Sequence, residues 1–169
     1  VVNDGTVDSE PDTTIVVVYN PDGGFVTGGG WITSPELACR FEGCADDTTG
    51  KANFGFVSKY KRGATTPTGQ TEFQFKAGGL EVHSSSYEWL VVAGTDQAKY
   101  KGVGSINGGG SYGFMLTAVD NGNSGDTFRI KIWDEDNGDT IVYDNQIDTD
   151  ENEYNGTEIG GGNIKVHKK

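Results

Sequence analysis

The sequence predicts an all-β protein, a sandwich of about ten mostly antiparallel strands, and three observations predict it. Twenty-seven of the 169 residues are glycine and only one is methionine, a composition suited to tight turns rather than long helices. Apolar and polar side chains alternate over short segments: Phe73 and Phe75 share one face, Glu72, Gln74 and Lys76 the other, the period of a strand with one buried side. Turn signals recur about every 8 to 12 residues, the spacing of a sandwich or barrel. A jelly-roll or an Ig-like arrangement of the two layers fits that spacing. The length suffices for one core and falls short of two ordinary domains.

Residues 1–12 are polar and unpatterned, as in a flexible arm. Residues 13–19 follow as a β-branched strand, with Ile15, Val16, Val17, Val18 and Tyr19 apolar on both faces, so that strand needs cover on both sides. The turn Asn20-Pro21-Asp22-Gly23 ends it, and residues 20–169 form the sandwich domain. Strands are expected at 25–33, 52–60, 71–76, 80–93, 98–107, 111–119, 127–133, 140–144 and 163–167. Phe54, Phe56 and Tyr60 align on one face of their strand, and Tyr87, Trp89 and Val91 on one face of theirs; such aromatics fill a sandwich interior. Phe128, Ile130 and Ile132 face away from Arg129, Lys131 and Trp133, so this strand too is expected to have a wet side. The glycine triplets at 28–30 and 160–162 lack the strand-to-helix setting of a phosphate loop. They are expected to mark close backbone approach or bulges where the terminal strands pair.

The formal charge is −12, which argues against nucleic acid as a partner. No apolar run approaches the roughly 20 residues that span a bilayer, so membrane insertion is not expected. The only two cysteines, Cys39 and Cys44, have no histidine close by in sequence, a poor start for a four-ligand zinc site. A small-loop disulfide is the better reading, against two free thiols in a surface turn. With the sequon Asn155-Gly156-Thr157, it points to an extracellular or cell-surface address.

Between Asp120 and Gly160 stand twelve acidic residues against Arg129 and Lys131 alone, gathered in Asp/Asn/Gly turns. Calcium takes six to eight oxygens from carboxylates, amides and carbonyls, which such turns present at close quarters. The candidate ligands are Asp120, Asn121, Asn123, Asp126, Asp134, Asp136, Asp139, Asp148 and Asp150. Asp134, Asp136 and Asp139 are the set most able to share one ion. The segment is not an EF-hand, because Gly138 falls at the fifth ligand position and Asn145 at the twelfth. The competing reading is that these residue types are preferred in turns for conformational reasons.

Catalysis is not expected. His83 and His167 are the only imidazoles, no serine sits in a nucleophile elbow, and Glu72 with Glu88 would form a glycosidase-like pair only if folding brought them across a cleft.

Several runs resemble a known family: Gly24-Phe25-Val26-Thr27-Gly28-Gly29-Gly30-Trp31-Ile32, Asn53-Phe54-Gly55-Phe56-Val57-Ser58-Lys59-Tyr60, Tyr87-Glu88-Trp89-Leu90-Val91-Val92, Asp126-Thr127-Phe128-Arg129-Ile130-Lys131-Ile132-Trp133 and Ile159-Gly160-Gly161-Gly162-Asn163-Ile164. Together they are similar to the post-COAP domain of prokaryotic secreted and surface proteins, over about residues 16 to 167. The resemblance implies a C-terminal or repeated module of large exported proteins, often placed after immunoglobulin-like repeats, and it transfers no catalytic residue. The Cys39 to Cys44 segment departs from the family pattern.

Two functional expectations follow. The first is a non-catalytic extracellular structural or adhesive module, with the strand at 13–19 donated to a neighbouring copy to build a surface filament; the alternative is an ordinary first strand paired within its own domain. Its partners are copies of itself or other surface proteins, and its acidic loops hold calcium. The runner-up is a carbohydrate-binding module. Trp133, on a polar face beside Arg129 and Lys131, suits a stacking platform for polysaccharide, and Tyr60 beside Lys59, Lys61 and Arg62 is a weaker second patch.

Overall fold

The structure, a computed structural model, describes residues 24–168. The arm at 1–12 and the strand at 13–19 lie outside the described residues. Within them the chain is all β, with ten strands in one antiparallel sheet: β1 Phe25–Ser34, β2 Gly50–Lys59, β3 Thr68–Phe75, β4 Leu80–Ala93, β5 Gln97–Ile106, β6 Gly109–Val119, β7 Thr127–Asp134, β8 Thr140–Asp144, β9 Thr157–Glu158 and β10 Gly161–His167. The order is β10-β1-β2-β3-β4-β5-β6-β7-β8, with β9 pairing β7 off this path. Nine of these are the strands expected from residue 25 onward, and the two-residue β9 was not foreseen.

A ten-stranded sheet with apolar residues on one face has to fold over itself to bury them. Phe54 of β2 therefore stacks on Phe128 of β7 with ring centroids 4.1 Å apart, and Phe73 of β3 meets Tyr143 of β8 at 4.8 Å. The first and second halves of the sheet face each other across one sandwich-like core, which includes Val26, Ile32, Tyr100, Leu116, Ile130 and Ile164. Burial of each large apolar side chain stabilises the fold by about 1.5–3 kcal/mol.

The glycine triplets meet as expected. Gly28, Gly29 and Gly30 pair with Ile164, Asn163 and Gly162 where β1 runs antiparallel to β10. A β-carbon at Gly30 would lie 2.1 Å from the Gly161 carbonyl oxygen, and one at Gly162 equally close to that of Gly29, so no larger residue fits at either.

Both ends of the sheet are covered. Next to β8, Arg40 N–H donates to Val142 O at 2.8 Å and Asp144 N–H to Ala38 O at 3.0 Å, and the disulfide Cys39–Cys44 ties this covering segment into a small loop. Along β10, Ile164 N–H donates to Asp126 Oδ2 at 2.8 Å and Val166 N–H to Asp120 Oδ2 at 3.2 Å. Two carboxylates thus occupy positions where another strand's carbonyls would otherwise pair.

Two face assignments differ from the sequence reading. In β4, irregularities between Ser84 and Ser86 and between Tyr87 and Trp89 shift the register, so that Tyr87 lies opposite Gly102 and Trp89 opposite Lys101. Tyr87 and Leu90 are buried while Trp89 is only half-buried; a bulge reverses the alternation that had put Tyr87, Trp89 and Val91 together. In β7 the outer face is not wet at Arg129, which is 2% exposed, because the loop after β8 folds down over it.

Candidate functional site: the outer face around Trp133

The outer face of β5, β6 and β7 carries its cations in register. Lys99 lies opposite Thr117 and Thr117 opposite Arg129; one row along, Lys101, Met115 and Lys131 follow the same order. The acidic loop after β8 is the counter-charge. Arg129 grips Asp144 through two bonds, Nε to Oδ1 at 3.1 Å and Nη2 to Oδ2 at 3.0 Å. It also donates to the carbonyls of Gln146, Thr149 and Asp150. Lys99 donates to the carbonyls of Glu151 and Glu153 and lies 4.8 Å from the Tyr154 ring centroid. Burial pushes the Lys99 ammonium below its ordinary pKa, the Arg129 charge adds to this, and the nearby acids pull the other way. Asn145 completes the anchor: its amide oxygen accepts from Ile130 N–H at 2.8 Å and its amide nitrogen donates to Phe128 O at 2.8 Å.

The rim of this loop shapes a depression of about 350 Å³ lined by Lys101, Met115, Lys131, Trp133, Asp139, Ile141 and Glu151. Trp133 lies across Gly113, where a β-carbon would fall 2.3 Å from the indole ring. The Lys101 ammonium stands over the ring at 5.6 Å and pairs with Glu88 at 3.2 Å. Lys131 pairs with Glu151 at 2.8 Å. Asp139 comes from the turn after β7, in which Asp134 Oδ1 accepts from Asp136 N–H and Asp139 N–H donates to Asp134 O at 2.9 Å. The site offers an aromatic face, donors from two lysines and acceptors from two acids, with the charges balanced.

The other sequence candidates are placed as follows. Asp120, Asn121 and Asp126 gather around one turn, but the two carboxylates accept from peptide N–H groups and the Asn121 amide nitrogen donates to Gly125 O at 2.9 Å. Besides its bond to Val166, Asp120 accepts from Gly122 N–H and pairs with Lys165 at 3.1 Å. Asp126 Oδ1 accepts from Asn121 N–H at 3.0 Å. Burial pushes the Asp120 carboxyl up, yet the bonds from Lys165, Val166 and Gly122 together hold it below the usual carboxylate range. Asn123 and Asp148 are exposed, and Asp150 Oδ1 accepts from Asn152 N–H. Among the described residues no three His, Cys, Asp or Glu side chains group as a metal site. Glu72 lies 3.5 Å from His83 and Glu88 binds Lys101, so each faces a different partner. Tyr60 donates its hydroxyl to Leu90 O at 3.2 Å and accepts from Leu90 N–H at 3.0 Å, which pins the end of β2 to β4 apart from the Trp133 depression.

Sequence reasoning missed Lys101, Met115, Glu151 and Ile141. Their signal was present in part: Lys99 and Lys101 share one strand period with Arg129 and Lys131 on another, but only the register brings the four to one face. No family model matches the chain, and neither a curated protein nor a solved structure matches it. The likeness to post-COAP domains accordingly rests on the motifs quoted above.

Proposed function

We propose that the chain is a non-catalytic, extracellular adhesive module that holds an uncharged polysaccharide in the Trp133 depression. One observation carries this reading: an indole held against Gly113 at the edge of an open recess, with amine donors and carboxylate acceptors around it. Pyranose rings present an apolar face to an aromatic ring and hydroxyls to such groups, and a site lined by a few placed polar residues takes ligands of this kind. The pairing of Lys131 with Glu151 and of Lys101 with Glu88 leaves no surplus cation for a polyanion. The disulfide supports the extracellular address.

Native gel electrophoresis through soluble neutral polysaccharides tests the proposal. Retardation of the wild type by at least one polymer, weakened in Trp133→Ala at unchanged melting temperature, is the expected result. Equal retardation of the two proteins, or none in any gel, contradicts it.

A filament assembled through residues 13–19 is a separate reading, favoured by the apolar character of both faces of that segment. Removal of residues 1–19 tests it: a folded monomer that no longer polymerises supports donation, and a destabilised domain supports pairing in cis.

A further inference from the structure

The opposite outer face carries a second tryptophan in a similar setting. Trp31 of β1 lies across Gly160 and Gly161, where β-carbons would fall 2.2 Å and 2.6 Å from its ring atoms. The Lys51 ammonium stands over the ring at 4.8 Å. Pairing runs from Trp31 to Asn53, from Asn53 to Gln74 and from Gln74 to Glu81. This aligns one indole, two amides and a carboxylate across four strands, about 14 Å at the usual strand spacing. Neither the Asn53 nor the Gln74 side chain has a hydrogen-bond partner among the described residues. A recess of about 230 Å³ lies along this row, lined in part by Asn53, Gly55, Glu72, Gln74, Glu81 and His83.

The floor of the recess is the informative part. Gly55 of β2 lines the recess, and its cross-strand partner Gly29 of β1 lies beside it. A β-carbon at Gly55 would meet nothing within 4 Å, one at Gly29 would meet only the Phe54 carbonyl oxygen at 3.9 Å, and neither residue has the positive φ that favours glycine. Glycine inside a strand weakens it, and neither packing nor backbone geometry demands it here, in contrast to Gly28, Gly30 and Gly162. Among the described residues nothing occupies the space over these two glycines, so the backbone there is open to close approach by a ligand. The groups beside that floor name its chemistry: an aromatic face, amides that both donate and accept, and the carboxylates Glu72 and Glu81, which repel polyanions.

We infer that the Trp31–Asn53–Gln74–Glu81 row is a second binding site for an uncharged polysaccharide strand, lying flat over Gly29 and Gly55. Because the inner faces of β2 and β7 meet in the core, the Trp31 and Trp133 faces point in opposite directions, and one domain bridges two polysaccharide chains. The site stands on different residues from the Trp133 depression and holds or fails independently of it.

The test follows the indole N–H and side-chain amide NMR signals of the folded protein during titration with hydroxyethylcellulose, mixed-linkage β-glucan and yeast mannan. Polygalacturonate serves as a charged control. The Trp31 indole signal, assigned with Trp31→Phe, is expected to shift together with the Asn53 and Gln74 amides for at least one neutral polymer, in the wild type and in Trp133→Ala alike. Gly55→Val fills the floor at a position with room for the side chain, and is expected to fold as the wild type while weakening that binding about tenfold or more. Asn53→Ala/Gln74→Ala, one exposed and one half-buried position, gives the same loss without touching a strand glycine. A Trp31 signal unmoved by every neutral polymer, a response to polygalacturonate alone, or wild-type binding by Gly55→Val and the double variant overturns the inference. Movement of Trp31 without Trp133 upholds it while removing the Trp133 reading; movement of Trp133 alone does the reverse.

Discussion

Arg129 and Asp144, fifteen residues apart, form a two-bonded ion pair with side chains 3% and 7% exposed. The pair fastens the loop after β8 to the outer face of β7, and that loop supplies Glu151 to the Trp133 depression. Site and fold are therefore coupled through one buried pair.

Breaking this pair from one side leaves the partner charge buried and unmatched. Arg129→Met and Asp144→Ala are each expected to destabilise the domain by about 3–5 kcal/mol, measured as a fall in the urea midpoint. Replacing both at once is expected to cost less than the sum of the single changes, which a double-mutant cycle detects.

Two carboxylates along β10 accept from backbone amides. Asp126→Ala removes the acceptor of the buried Ile164 N–H and is expected to cost about 1–3 kcal/mol. Asp120, with its folded pKa below the ordinary carboxylate value of about 3.9, contributes stability that is complete above that unfolded value and is lost as pH falls through the folded one. The exchange protection factor of the Val166 amide should therefore fall in acid by more in the wild type than in Asp120→Asn.

The acidic turns were expected to need calcium because of their uncompensated charge. Three of the twelve acids, Asp144, Glu151 and Asp120, pair with Arg129, Lys131 and Lys165, and Asp134 and Asp150 accept from peptide N–H groups. Excess EDTA is accordingly expected to leave the melting temperature within about 2 °C of its value in millimolar calcium, since a ligand at 100 times its dissociation constant would add about 2.7 kcal/mol. A larger drop in scanning calorimetry would show that the acidic turns hold calcium.

The Cys39–Cys44 bridge closes a short loop beside β8. Its reduction is expected to cost about 2 kcal/mol by loop entropy, and to expose the β8 edge before the rest of the sheet. Amide exchange at Asp144, whose N–H donates to Ala38 O, reports this locally.

Filling Gly113 tests the seat of Trp133 without removing the indole. Gly113→Ala places a methyl where the ring now lies, so the ring must lift away. Polysaccharide retardation should weaken about tenfold or more.

The strands were legible because their side chains obey local rules: Phe73 and Phe75 alternate with Glu72 and Gln74, and both bury where period two puts them. The pairing of the two glycine-rich terminal strands was legible too, since clustered strand glycines mark close backbone approach, which Gly30 and Gly162 show. What sequence does not carry is long-range register. Nothing local to Asp126 announces that it accepts from Ile164, 38 residues on. Nothing near Arg129 tells that its face is roofed, because the roof comes from residues 145–154. Trp89 was misplaced by bulges that leave no clear residue signature in Ser84-Ser85-Ser86. The acidic turns showed their composition but not their counter-ions, which lie on other strands.

Trp133 and its lysine and carboxylate neighbours are proposed to hold an uncharged polysaccharide. Isothermal titration of the wild type and Trp133→Ala with the neutral polymer that retards the protein most tests it directly. Binding at the Trp133 face is expected to be measurable in the wild type and to disappear in the variant while its melting temperature is unchanged. Identical isotherms for the two proteins would contradict it.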